Sequence, residues 1–228
     1  MKNKMMLLAL GALTALVFAA LPAVASAGEP TIDPAGGKFP VTFTSSGTTS
    51  ELRATGEPSI VCTSNSGSGK YTSATTGEFE LTFKGCTTSF FGFPVECHST
   101  GQANNVITTG TSVFHNTYLT DAKTTPGILV TPPSGGVFTK ITCAGISTIE
   151  VKGNGIIGDL ESPKCGGSSK TGTLNFTATG ASQTFKQVTG TGTAFDLTAT
   201  TSGGSAVTAA EVAEGTVTFA ESITVTCV

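Results

Sequence analysis

Again and again between Phe39 and Cys227, the apolar residues of this chain fall at every second position. Phe39, Val41 and Phe43 alternate with Pro40, Thr42 and Thr44, and Phe79, Leu81 and Phe83 alternate with Glu78, Glu80 and Thr82. The same period returns in Val137-Thr139-Ile141-Cys143, Ile149-Val151, Leu174-Phe176-Ala178, Phe195-Leu197-Ala199 and Ile223-Val225-Cys227. Successive side chains of a strand point to opposite faces, so each such segment has one apolar and one wet face. A helix would scatter the same residues around its axis. Threonine takes most outward positions because its β-branched carbon suits a pleated surface while its hydroxyl stays hydrated. Asn154-Gly155, Gly135-Gly136 and Gly203-Gly204 supply tight turns between the runs. One segment departs from the pattern: Thr208-Ala-Ala-Glu211 has capping-box spacing and predicts a turn or two of helix before Gly215. The chain as a whole predicts an all-β fold over residues 28–228. A single antiparallel β-sandwich or flattened β-barrel of about eight to twelve strands is expected.

The first residues carry an address. Lys2 and Lys4 precede an apolar run from Met5 to Ala20, then Pro22 and the small residues Ala23-Val24-Ala25-Ser26-Ala27. That is the pattern of a secretory signal peptide, residues 1–27, cleaved after Ala27 with Ala25 as the alternative. The run is short for a spanning helix, and neither end of the mature chain reads as a membrane anchor. The chain has 12 Lys and Arg against 15 Asp and Glu, a net charge of −3, and removing Lys2 and Lys4 makes it more acidic. The remaining cations are scattered singly, which argues against nucleic acid and against a polybasic lipid-binding stripe. All 6 cysteines follow the signal segment. An even set in an oxidising compartment implies disulfides, and the lack of any C-x-x-C argues against a metal centre. Cys86 and Cys97 close the shortest loop, so their pairing is expected first.

The stretches GKYTSATTGEFELTFKGC, FTKITC and VKGNGIIGDL, at Gly69–Cys86, Phe138–Cys143 and Val151–Leu160, are strand-and-turn patterns. From Ser59 to Leu160 the chain resembles secreted Thr/Gly-rich bacterial proteins of unknown function. The resemblance implies secretion and a β-fold, and assigns no catalytic group. It also implies counterparts of Cys86, Cys97 and Cys143 more readily than of Cys165 and Cys227, which makes Cys165–Cys227 an added pair and leaves Cys62 with Cys143.

Chemistry is sparse. Gly85–Ser99, GCTTSFFGFPVECHS, gathers Phe90, Phe91 and Phe93 around Gly92. At least one ring is expected to fold inward and plug the core. If the loop projects instead, the three rings form an apolar patch of the kind that marks a partner site. Glu96 and His98 share a strand face across Cys97, where a carboxylate could orient an imidazole, although a solvent-facing pair is the plainer expectation. Glu221 lies in phase with Val217, Phe219 and Ile223, so alternation points it inward unless a bulge returns it to water. The chain has no G-x-S-x-G elbow, and Glu78 and Glu80 lie on one strand face rather than across a cleft. With no Trp and two Tyr it is poorly equipped to stack on sugars. No metal and no cofactor is expected. A secreted non-enzymatic protein that binds an extracellular or envelope partner ranks first. A barrel carrying a small apolar ligand ranks second, and a hydrolase using Glu96, His98 or Glu221 third.

Overall fold

Alternation leaves open which strands become neighbours, and the pairing pattern supplies that. The computed structural model describes residues 28–133, 135–145, 147–188 and 192–228, so the expected signal peptide at residues 1–27 lies outside the described residues. The strands are β1 (Thr31–Pro34), β2 (Val41–Ala54), β3 (Ile60–Cys62), β4 (Ser64–Tyr71), β5 (Thr76–Lys84), β6 (Thr87–Phe90), β7 (Phe93–Ser99), β8 (Val106–Thr108) and β9 (Ser112–Tyr118). They continue with β10 (Pro126–Thr131), β11 (Val137–Cys143), β12 (Ser147–Gly153), β13 (Ile156–Ser162), β14 (Ser168–Phe176), β15 (Ala178–Thr179), β16 (Ser182–Gln183), β17 (Leu197–Thr201) and β18 (Val207–Thr226). Sixteen of them form one antiparallel sheet, and β15 with β16 forms a small hairpin. The count exceeds the expected eight to twelve because long alternating runs are cut where a strand changes partners. Ile60–Cys62 and Ser64–Tyr71, for example, are separated only by Thr63.

The sheet closes on itself, and it does so twice. One ring runs β2-β4-β5-β9-β10-β13-β14-β18, the other β2-β3-β6-β7-β11-β12-β17-β18, and the β2–β18 ladder belongs to both. On its other edge β2 pairs with β4 through Val41–Gly47 and with β3 through Ser50–Leu52. The switch coincides with a bulge: Ser50 opposes Ala213 while Gly47 opposes Gly215, which leaves β2 one residue long across the gap. An extra residue bends its strand and sharpens the twist, so the two halves of β2 diverge into different rings. Gly47 is required there, because a Cβ would strike the Glu214 carbonyl and the Asn65 amide.

The first ring is filled by rings. Phe43, Tyr71, Phe79 and Phe114 pack edge to face, with Tyr71 and Phe114 centroids 4.7 Å apart, and Phe219 closes the group against Phe43 at 6.0 Å. Such pairs add about 0.5–1.5 kcal/mol each beyond their buried area. The Tyr71 hydroxyl, fully buried, donates to Asn116 Oδ1 at 2.9 Å, and Asn116 Nδ2 donates to the Pro30 and Ala74 carbonyls. Inside a core this network satisfies each polar group it brings in.

Two expectations are corrected here. Thr208–Glu211 is not helical but lies within β18, because Ala209 and Ala210 are buried and the segment is paired with β2 and β17. A capping box is worth about 1 kcal/mol, less than ladders on two edges and two buried side chains. The disulfides are Cys62–Cys86, Cys97–Cys143 and Cys165–Cys227. Of the expected pairings only Cys165–Cys227 forms; Cys86–Cys97 and Cys62–Cys143 do not. Cys97 opposes Cys143 across the β7–β11 ladder, whereas Cys86 precedes β6 and reaches outward to β3. Loop length favoured Cys86–Cys97, and strand neighbourhood decided otherwise.

Candidate functional site

β6 and β7 form a hairpin with only two residues, Phe91 and Gly92, between the opposed pair Phe90 and Phe93. Both loop residues have positive φ, 50° and 83°, the geometry of a tight hairpin turn that normally selects Asn-Gly. Phenylalanine there is strained, since its Cβ crowds the backbone in the left-handed region. Past the Val61–Thr87 bridge, β6 pairs only with β7, and β7 meets β11 only from Cys97 onward. The tip therefore stands free of both rings. A lone two-stranded hairpin is marginal in water, so the two disulfides at its base, one to β3 and one to β11, hold each strand from outside.

No ring plugs the core. Phe90, Phe91 and Phe93 are 42%, 88% and 72% exposed, and Phe90 packs edge to face on Phe91 with centroids 4.6 Å apart. From Gly85 to Val95 the sequence carries no charge. The expectation of an inward ring fails because the turn falls at Phe91-Gly92, beyond the last strand that could cover it. Glu96 is exposed and accepts from Asn105 Nδ2 at 2.9 Å rather than orienting His98, which is half-buried on the same strand. Glu221 falls where the β14–β18 register shifts, between Thr218 and Ile223, as expected of a bulge, and its carboxylate accepts from the Gly36 N–H beyond the end of β1 on the exposed side. Glu96, His98 and Glu221 share no cleft. Among the described residues no group of three or more His, Cys, Asp or Glu is placed to hold a metal ion.

A second feature lies inside, where the two rings meet. A cavity of about 110 Å³ is lined largely by apolar side chains, among them Phe79, Phe83, Phe138, Phe176, Ile141 and Val217. Glu211 and Ser50 also line it. The inner face of β18 runs Ala209, Glu211, Ala213, Gly215, so small residues flank the acid and leave room beside it. Burial among apolar groups, with Glu51 adding repulsion, pushes the Glu211 carboxyl up to about 8. By accessible surface Glu211 is half-buried, and it is one of the residues that line the cavity. Its backbone is pinned by Gln183. With the amide oriented to fit its neighbours, Nε2 donates to the Glu211 and Thr177 carbonyls at 3.1 and 2.8 Å, and Oε1 accepts from the Glu211 N–H at 3.3 Å.

Sequence reasoning looked for an inward acid at Glu221 and missed Glu211. The signal was present: Ala209, Glu211 and Ala213 keep the phase of Val217 and Phe219 through Gly215. The capping-box spacing hid it.

Comparison of the chain with known protein families, with curated proteins and with solved structures finds no match to any of them.

Proposed function

We propose that the protein is exported, catalyses no reaction, and binds an extracellular or envelope partner through the hairpin bearing Phe90, Phe91 and Phe93. The observation that carries this is the exposure of all three rings on a free-standing, uncharged tip braced by two disulfides. Apolar rings left in water, one of them in a strained conformation, cost stability, and such costs collect at recognition sites. Export is supported by the signal pattern of residues 1–27 and by six cysteines that are all paired. The resemblance to secreted Thr/Gly-rich bacterial proteins points the same way.

The test compares wild type with Phe90→Ser, Phe91→Ser and Phe93→Ser, each immobilised and exposed to native culture supernatant and envelope fractions. A partner retained by wild type and lost with the Phe91 or Phe93 variant, at a melting temperature within about 2 °C of wild type, is the expected result. Undiminished retention by the triple variant would overturn the assignment.

A further inference from the structure

The β2–β18 ladder places two unsatisfied polar groups on one wall of the internal cavity. Ser50 opposes Ala213 and Glu211 opposes Leu52, so the two occupy diagonal positions on the inner face, within reach of one small ligand group. Ser50 is 2% exposed, and its hydroxyl has no hydrogen-bond partner among the described residues. No described group hydrogen-bonds the Glu211 carboxyl either. Several other polar groups in the lining are already engaged: Ser112 Oγ donates to the Gly110 carbonyl, Thr109 Oγ1 accepts from the Leu81 N–H, Thr139 Oγ1 donates to the Thr108 carbonyl, and Asn65 Nδ2 donates to the Thr48 carbonyl, while Ser45 and Glu214 also face it. A cluster of several waters needs two to four polar partners for each molecule, and this lining offers few. Leaving a carboxyl and a hydroxyl unpaired in an apolar enclosure is costly, and a filled core of Leu and Val would avoid it.

We propose that the cavity is a binding site for a small neutral molecule, an apolar body with one hydrogen-bond-accepting oxygen such as a ketone, held by Glu211 and Ser50. Volume sets the size: a cavity of about 150 Å³ takes benzene with its six heavy atoms, so about 110 Å³ admits roughly four. Donor inventory sets the chemistry. Near neutrality Glu211 is the protonated acid and offers an O–H, Ser50 offers a second, and one carbonyl oxygen has two lone pairs to receive them. A cationic ligand is disfavoured because it would have to surrender its hydration to an apolar enclosure. The charged groups around Glu211 are Glu51 and Arg53 on β2, paired with each other at 2.7 Å, and Glu214 on its own strand. β16 and β17 contribute none.

The experiment titrates the full folded protein with acetone and, separately, with its apolar isostere isobutene. It follows the methyl resonances of Ile141 and Val217 at about pH 6.5 and about pH 9.5, on either side of the Glu211 transition. Saturable shifts with the ketone are expected, with isobutene about tenfold weaker and ketone affinity falling about tenfold at the higher pH. Glu211→Gln retains a donor and cannot ionise, so it should bind the ketone at both pH values. Glu211→Leu should abolish the preference for the ketone. Equal affinity for the two probes, absence of saturable shifts, or the same pH-dependent loss in Glu211→Gln would each overturn the proposal.

Discussion

Glu211 and Phe91 both occupy positions that ordinary folding preferences disfavour, and each makes a measurable demand on stability. The Glu211 carboxyl titrates near 4.5 in the unfolded chain and near 8 in the folded one. Between these values the native state holds a proton that the unfolded state has released, so stability falls as pH rises. The slope approaches 1.4 kcal/mol per pH unit at most, about the value for one proton, and flattens above about 8. Melting temperatures from about pH 5 to about pH 9 should therefore decline more steeply in wild type than in Glu211→Gln, and parallel curves would show that the acid is not buried. At the hairpin, Phe91→Asn should relieve the positive-φ strain and stabilise the fold by about 0.5–1 kcal/mol while weakening partner retention. Calorimetry on the purified variant reads the first effect, and a lowered melting temperature would contradict the strained geometry.

Among the elements, the β6–β7 hairpin shows how cross-links substitute for packing. Cys86 and Cys97 do not clamp their own hairpin; each is tied to a strand on the far side of it, so the tip can project without fraying. Those two bonds are deeply buried, Cys86 and Cys97 being 0% exposed, whereas Cys165 and Cys227 are half-buried near the end of β18. A reductant reaches an accessible bond first. Mild reduction of the native protein followed by thiol labelling and peptide mapping should mark Cys165 and Cys227 before the other four. Early labelling of Cys97 would mean that the base of the hairpin opens in solution.

At the scale of the molecule, the shared β2–β18 ladder makes the two rings interdependent. Neither can lose its closure without stripping partners from a strand that the other ring uses, and one continuous cluster of buried residues spans both. Unfolding should accordingly be a single cooperative transition. Fluorescence of Tyr71 and Tyr118 reports the first ring and the Ile141 methyl resonance the second. Their denaturation midpoints should coincide, and two separated midpoints would show that the rings are independent folding units.

Much of this fold was legible in local pattern. Phe79-Glu80-Leu81-Thr82-Phe83 forms a strand because alternate side chains see opposite environments, a property of neighbours along the chain, and the all-β class follows from repeating it. The partners of those strands are not a local property. Val41–Ala54 pairs with a segment more than 150 residues later, the bulge at Thr48-Thr49 splits one sheet into two rings, and Cys97 faces Cys143 rather than the nearer Cys86. Even alternation misled where a spacing of three suggested a helix at Thr208–Glu211, so the acid that lines the cavity went unnoticed until long-range pairing fixed its strand. Sequence by itself determined the strands and their apolar faces, because periodicity acts over a few residues. Only the tertiary structure decided closure, disulfide partners, the exposed phenylalanine tip and the cavity around Glu211, because register and closure arise from contacts between residues far apart in the chain.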